Sequence, residues 1–335
     1  RTITHDLMTP NPSIYWFDFG VSITLGWGAF YFSVVNEMLS LVWWASYIFA
    51  TLALYRAVLF THELAHFKKG TFGTFRFFWN FLCGCLMLAP SFFYNGVHND
   101  HHKRDIYGTS EDGEYLPFGA QNPYRILTYL LQIVVLPLLI AVRFLIMAPL
   151  GWIFPPIGRL VWERMSSLTI DINYKRPIEQ RAKIGTWKAQ EILASFNIWL
   201  SVFLIYNGVL PIEAAIMWYL VLVLVLLLNS LRTLGAHAYR NPGDKKMSVS
   251  EQYLDSVNVS GKFITALWAP VGLRFHATHH LFPIMPYHNL AEAHERLRKE
   301  LPDNGLYLST SRNGMWHALS TLWVDAKASQ IKPRH

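Results

Sequence analysis

The sequence predicts an all-α integral membrane protein, and three observations support that prediction. The chain has 335 residues, of which 52% are hydrophobic and only 15% are charged, whereas soluble domains usually carry about 25% charged residues. The apolar residues are concentrated in blocks of about 20, the length that a helix needs to cross the hydrocarbon layer. Turn-forming residues join these blocks into pairs, which indicates helical hairpins. We expect a single domain over residues 1–335.

The first predicted transmembrane hairpin covers residues 14–60. Its arms, 14–35 and 38–60, carry one charged residue each, and Asn36 and Glu37 provide the turn between them. A hairpin returns the chain to its starting side of the membrane. The residues that follow position 60 therefore lie on that side.

The second predicted hairpin covers residues 192–236, with its turn at Asn207, Gly208 and Pro211. Both connecting turns are nearly uncharged, whereas the other loops are rich in lysine and arginine. That asymmetry places the other loops in the cytoplasm and accounts for the net charge of +7. Nucleic-acid binding is not expected, because the chain lacks a basic and aromatic module away from the membrane-flanking loops.

Two further apolar segments are too interrupted to span the membrane as single helices. Residues 71–97 contain Gly84 and Pro90, and we expect a re-entrant or interfacial pair of short helices there. Residues 124–157 contain four prolines and form either a hairpin or a shallow helix lying in the membrane. Residues 238–335 are more polar and are expected to form a cytoplasmic helical cap.

Three histidine motifs follow or precede these apolar elements. They are His62-Glu-Leu-Ala-His66, His98-Asn-Asp-His101-His102 and His276-Ala-Thr-His279-His280. Histidines three or four residues apart share one face of a helix, so their imidazoles can converge. Imidazole is the commonest protein ligand for redox-active first-row metals, and eight such residues are too many for one ordinary site. The motifs predict a pair of metal ions at the membrane surface.

Two other interpretations of these histidines remain open. The first motif is also an HExxH zinc-peptidase signature, in which Glu63 would be the general base. That interpretation leaves the two HxxHH motifs unexplained. A metal transporter should place ionisable residues near the membrane midplane, whereas these histidines cluster beyond the ends of the predicted spans.

The chain resembles the membrane-bound fatty acid desaturase and hydroxylase superfamily, whose histidine boxes occur in this order around two transmembrane hairpins. The most specific match is the third box with its extension, Leu-Phe-Pro-Ile-Met-Pro-Tyr-His288-Asn-Leu, which looks like that of acyl-lipid desaturases. The first box departs from the HDxxH of acyl-lipid enzymes. It is also one residue shorter than the HxxxxH of the acyl-CoA branch, which disfavours an acyl-CoA substrate.

The resemblance implies a non-haem di-iron site with two iron ions, nine histidine ligands and O₂ as co-substrate. His237, at the end of the last span, holds the place of a ninth histidine outside the boxes. Thr233 stands where the acyl-CoA branch has an asparagine that holds a metal-bound water. The expected ligands are His62, His66, His98, His101, His102, His237, His276, His279 and His280.

The resemblance also implies oxidation of an unactivated C–H bond in a fatty acid or fatty acyl lipid. Desaturation is the first expectation. The alternatives are hydroxylation and oxidative decarboxylation to a terminal alkene. The chain lacks an HPGG haem signature, a cysteine set for an iron–sulfur cluster and a Rossmann glycine motif. We therefore expect electrons from a separate ferredoxin, rubredoxin or cytochrome b5 type of protein with its reductase.

Other polar residues near the boxes have possible supporting roles. Acids and histidines beside metal ligands often accept the second ring N–H of a ligating imidazole, and the candidates for this role are Glu63, Asp100 and His288. Arginines near the membrane surface could bind the headgroup of a lipid substrate, and these candidates are Arg76, Arg232, Arg240 and Arg274.

Overall fold

The computed structural model describes residues 2–68, 70–243, 245–261, 263–301 and 305–331. Strands in this part of the chain are limited to the parallel pair β1 (Asn258–Val259) and β2 (Ser311–Arg312). Five helical segments in the same residues are long and apolar enough to cross a membrane: Pro12–Val35, Leu41–His66, Leu136–Ile153, Trp187–Tyr206 and Ile212–Leu234. The protein is a multi-pass, all-α membrane protein, as its composition predicted.

The first hairpin consists of α1 (Pro12–Val35) and α2 (Leu41–His66), which pack along each other. Ser40 caps α2, because its hydroxyl accepts a hydrogen bond from the backbone N–H of Trp43 at 3.2 Å. Helix α2 continues six residues beyond the predicted end of its span. The first histidine box therefore occupies the last turns of α2, a continuation that its Glu, Leu and Ala residues favour.

The segment after α2 folds back against that helix through short elements. Trp79, at the end of the first of them, donates its indole N–H to the carbonyl of Ala57 at 2.8 Å. The elements are α3 (Gly73–Trp79), a π-helical turn (Asn80–Gly84), a 3₁₀ turn (Ser91–Phe93) and α4 (Val97–His101). This segment brings the second histidine box, on α4, beside the first.

The proline-rich segment bends between two apolar helices. At the bend, the carbonyl of Val134 accepts a hydrogen bond from Tyr219 at 3.0 Å. Farther along, Arg143 pairs with Glu191 at 2.5 Å. Helix runs without a break from Leu136 to Ile153, through Pro137 and Pro149, and this stretch is long and apolar enough to cross a membrane. The elements are α5 (Tyr124–Leu131), α6 (Leu136–Val142), a π-helical turn (Arg143–Met147), α7 (Ala148–Ile153) and α8 (Pro155–Met165).

The segment of the second predicted hairpin follows α9 (Glu179–Lys183) and forms two consecutive helices, α10 (Trp187–Tyr206) and α11 (Ile212–Leu234), which pack mainly against other elements. Gly208 in its turn has φ of +70°, a conformation that glycine adopts without strain. Helix α11 packs against α1, α2 and α6, whereas α10 packs against α7 and the π-helical turn Arg143–Met147. This arrangement places α11 centrally, beside the helix that carries the first box.

The C-terminal part of the chain is a set of short helices. Tyr287, in the extension of the third box, donates its hydroxyl to Asp18 at 2.6 Å and its backbone N–H to Glu63 at 3.1 Å. These bonds hold the third box against the first hairpin. The helices are α12 (Val249–Asp255), α13 (Phe263–Trp268), α14 (His276–Leu281), α15 (Leu290–Glu300), α16 (Gly305–Ser309) and α17 (Met315–Ile331).

Candidate metal centre

The nine histidines expected from the sequence meet in two groups. Within each group, the ring nitrogens that could bind a metal all lie within 4.8 Å of one another. The first group comprises His62, His66, His98, His102 and His279, and the second comprises His101, His237, His276 and His280. Each group could hold one metal ion.

The separations between ring nitrogens in these groups fit shared metal ions. In the first group, consecutive Nε2 atoms of His66, His98, His102 and His279 lie 2.9–3.1 Å apart. In the second group, the corresponding separations are 2.9 and 3.1 Å. Two nitrogens that bind one ion at about 2.1 Å in adjacent positions lie about 3 Å apart. The donor geometry therefore matches imidazoles arranged around a cation.

The two HxxHH boxes divide their histidines between the groups. In α4, His98 and His102 belong to the first group, whereas His101 belongs to the second. In α14, the i and i+4 pair, His276 and His280, belongs to the second group, and the histidine at i+3 belongs to the first. Adjacent residues on a helix point about 100° apart. Each HxxHH box therefore contributes to both groups.

Carboxylates fix the protonation of two second-box histidines. Nδ1 of His98 lies 3.0 Å from Oε1 of Glu114, and Nδ1 of His101 lies 2.8 Å from Oδ2 of Asp112. An ionised carboxylate only accepts hydrogen bonds, so each Nδ1 carries the proton. Nε2 then presents a lone pair to the group, which is the tautomer that binds a metal.

A tyrosine performs the same role for His237. The Tyr107 hydroxyl donates to Oδ2 of Asp255 at 3.1 Å, and its oxygen lies 2.9 Å from Nδ1 of His237. Because Tyr107 has one proton to donate, its oxygen accepts the Nδ1–H of His237. Asp255 thus orients a ligand candidate through an intervening hydroxyl.

The environment of the groups favours uncharged imidazoles. Burial holds the pKa values of the second- and third-box histidines well below the usual histidine range, and repulsion between neighbouring rings lowers them further; the affected residues are His98, His102, His276, His279 and His280. Burial also lowers the pKa of His101, but Asp112 outweighs it and the net shift is upward. Neutral imidazole is the form that a metal binds.

The supporting acids differ from those expected. The oxygens of Asp100 accept from Lys103 at 2.5 Å and from Gln180 at 2.6 Å, so this carboxylate is directed away from the rings. Glu63 accepts from Tyr15 at 2.5 Å, in addition to Tyr287, and its other oxygen lies 3.5 Å from Nδ1 of His62. That separation is too long for a hydrogen bond.

His288 bonds outside the two groups. Its Nε2 accepts from the backbone of Asn11 at 3.2 Å, and its Nδ1 lies 2.9 Å from Oδ1 of Asn289. The acids that do reach ring nitrogens, Asp112 and Glu114, follow the second box in the run Ser-Glu-Asp-Gly-Glu. An acidic run close to a histidine box in such an apolar chain is the signal that could have identified them.

All four candidate headgroup arginines bond to the protein itself. Arg76 donates to the carbonyl of Phe67 at 3.0 Å. Arg274 donates to a backbone carbonyl at 3.3 Å, and Arg240 pairs with Asp325 at 3.2 Å. The fourth, Arg232, donates to Oδ1 of Asn229 at 2.8 Å and also lines a cavity.

This cavity of about 310 Å³ reaches the first histidine group. His62, Tyr94 and Glu114 form part of its lining, and apolar side chains of α2, α6 and α11 form much of the rest. Its volume lies in the range of small-molecule sites, about 300–1,000 Å³. An apolar molecule that occupies it would lie against the histidines.

Comparison with known proteins agrees with the geometry. The sequence model of the family "Fatty acid desaturase" matches residues 38–312. The chain is 37% identical to the ceramide hydroxylase of Caulobacter vibrioides (strain NA1000 / CB15N), over 100% of this chain and 95% of the relative. No solved structure matches. The peptidase and transporter interpretations receive no support, because the protein is a membrane oxidoreductase: the chain belongs to the fatty acid desaturase family.

Proposed function

We propose that this protein hydroxylates a ceramide-type lipid at a di-iron centre formed by the two histidine groups. The observation that carries the proposal is the pairing of the two histidine groups, the first of which lies beside a cavity with a largely apolar lining. A ceramide hydroxylase that aligns with 100% of the chain supports this choice of reaction and substrate.

Two bound iron ions would supply the activation of O₂ and the removal of hydrogen from an unactivated C–H bond. The protein supplies the ligands and holds three of them in one tautomer through Glu114, Asp112 and Tyr107. The cavity holds the lipid carbon against the first group and excludes bulk water. In the balanced reaction, R–H, O₂, two electrons and two protons give R–OH and water.

The two electrons require a donor outside this chain. We propose a small redox protein of the ferredoxin, rubredoxin or cytochrome b5 type, with its reductase. We also propose that the histidine boxes face the cytoplasm, because lysine and arginine are concentrated in the loops on their side of the spans. An acidic donor would be attracted to that face.

Desaturation is the second candidate, because the family model that matches the chain is that of fatty acid desaturases. It would remove two hydrogens from adjacent carbons with the same ligands and the same consumption of O₂ and electrons. Oxidative decarboxylation requires a free carboxylate next to the reacting carbon, and the comparisons offer no relative with that activity.

Product analysis separates these reactions. The purified protein in lipid nanodiscs would receive N-palmitoyl dihydrosphingosine, isotopically labelled O₂, a ferredoxin and a reductase. We expect a ceramide that has gained one labelled oxygen atom, with no product when His98→Ala replaces the wild type. A product that has lost two hydrogens and gained no oxygen would instead establish desaturation and overturn the proposed reaction.

A further inference from the structure

The cavity beside the histidines has a largely apolar lining that also contains three arginines, Arg143, Arg164 and Arg232. Arg232 belongs to α11, five residues before His237, and is 8% exposed. One face of α11 lines the cavity along the helix toward the histidines, in the order Leu222, Val225, Leu226, Asn229, Ser230, Arg232 and Thr233. The face changes from aliphatic to polar over about 15 Å. On the α11 side of the cavity, a polar group of a bound lipid would therefore lie at the metal end.

The guanidinium of Arg232 lacks a full set of hydrogen-bond acceptors. Its Nη2 donates to Oδ1 of Asn229 at 2.8 Å and its charge interacts with Tyr55 and Glu114, whereas its Nε finds no acceptor among the described residues. Arginine remains charged even when buried. A buried N–H that lacks an acceptor destabilises the structure by about 1–3 kcal/mol. A ligand oxygen in the cavity would supply the missing acceptor.

The carboxylate that lines the cavity already has partners for both of its oxygens. Glu114 is the one acidic side chain among the described residues that line the cavity. One of its oxygens lies 3.0 Å from His98, and the other accepts from Tyr94 at 3.0 Å. Thr61, adjacent to His62 and also lining the cavity, has a buried hydroxyl without a partner in the described part of the chain. Nε of Arg232 and the hydroxyl of Thr61 thus both lack a hydrogen-bond partner among the described residues, and a bound ligand could supply one.

We propose that the guanidinium of Arg232 binds the acyl carbonyl oxygen of the lipid substrate, and so presents a carbon within a few bonds of that carbonyl to the histidines. This inference rests on the proposed function. A chain oxidised far from its polar end would instead place methylene groups against the unpaired N–H of Arg232. Arg232 is a positioning and specificity residue in this account.

Both an amide and a carboxylate could provide the carbonyl oxygen, and a second polar site favours the amide of a ceramide. Arg143 is 2% exposed and donates to Glu191 and to the carbonyl of Met165. Its Nη1 and the hydroxyl of Ser167 have no partner among the residues described, and both residues line the same cavity. A fatty acid has one polar end, whereas a ceramide also carries the hydroxyls of its long-chain base.

The test compares Arg232→Gln with Arg232→Lys, which keeps the charge, and with Arg159→Gln. Arg159 is an exposed arginine outside the cavity that pairs with Glu163, so this control makes the same chemical change elsewhere. Each protein is assayed with N-palmitoyl dihydrosphingosine and with palmitic acid. Three quantities are measured: KM, the position of the new hydroxyl by tandem mass spectrometry, and the rise in melting temperature that each lipid causes. Iron content and the melting temperature without lipid show whether each variant folds.

We expect wild type to hydroxylate the ceramide at one carbon close to the amide. Arg232→Gln should raise KM about tenfold, spread the hydroxyl along the chain and reduce the thermal stabilisation by ceramide. Arg232→Lys should be intermediate, and Arg159→Gln should behave as wild type. If these changes occur with palmitic acid instead, the result supports binding of a carbonyl oxygen by Arg232, and that oxygen then belongs to a carboxylate rather than to an amide.

Two results would overturn the inference while leaving the proposed function intact. One is hydroxylation by Arg232→Gln at the wild-type position with the wild-type KM. The other is hydroxylation by wild type far from the carbonyl. Absence of any hydroxylated product from the wild-type protein would instead count against the proposed function. In that case the thermal stabilisation by ceramide still decides whether Arg232 contacts the lipid.

Discussion

The oxygen of Tyr107 lies 2.9 Å from Nδ1 of His237, although 130 residues separate them in the chain. Asp255 accepts the Tyr107 proton and thereby makes this oxygen an acceptor for the imidazole N–H. His237 is the one member of the two groups that lies outside the three sequence boxes. Its orientation therefore depends on residues that no histidine motif contains.

Tyr107→Phe should weaken binding of the metal by the second group about 10- to 100-fold, because His237 loses the acceptor that fixes its tautomer. Titration of the purified protein with ferrous iron against a chelator measures this effect. Tyr115→Phe is the matched control: Tyr115 also donates to Asp255, at 2.8 Å, but in this account it orients no ligand. Equal losses of metal affinity in the two variants would show that the hydrogen bonding of Asp255, rather than the contact between Tyr107 and His237, supports metal binding.

Asp112→Asn should bind metal more weakly than the wild type, whereas Asp100→Asn should not. Asp112 accepts the ring N–H of His101, so its amide variant should lower metal affinity by about tenfold or more. Asp100 bonds to Lys103 and Gln180, so Asp100→Asn should retain the wild-type iron content. Metal analysis after dialysis against a weak chelator provides the comparison. Loss of iron from Asp100→Asn alone would contradict the observed placement of these acids.

The ion pair between Asp18 and Arg56 should contribute to the stability of the first hairpin. The guanidinium binds the carboxylate through two nitrogens, at 2.6 and 2.5 Å, within apolar helices. Arg56→Met should lower the free energy of unfolding by about 1 kcal/mol, because the charge of Asp18 then has no cation but the pair is partly exposed, with 36% of the Arg56 side chain accessible. Adding Asp18→Asn to Arg56→Met should recover part of the loss. Melting in detergent measures both, and a double variant less stable than Arg56→Met would refute this explanation.

Much of the site could be predicted because its chemistry lies in local spacing. The HxxxH and HxxHH boxes repeat a residue type that binds metal, at intervals that a helix converts into convergence. The long apolar helices were visible for a similar reason, since blocks of about 20 residues with few charges match the thickness of a membrane. Single-sequence patterns carry both kinds of information.

The remaining features depend on tertiary contacts that spacing does not encode. The assignment of His101 to one group and His102 to the other follows from the direction in which α4 enters the site. The selection of Asp112 over Asp100 follows from how the loop after α4 turns back. The polar end of the cavity required knowing that Arg232 faces inward, which an apolar helix with a terminal arginine does not reveal.

The most direct test of the account is the number and identity of metal ions per chain. Protein purified from iron-replete cells would be analysed by plasma mass spectrometry and Mössbauer spectroscopy, together with His98→Ala and His276→Ala, which each alter one group. We expect two irons per chain in the wild type. Each variant should contain less iron, because His98→Ala removes a ligand of the first group and His276→Ala removes a ligand of the second. A single zinc ion per chain, retained when His276 is replaced, would contradict the account.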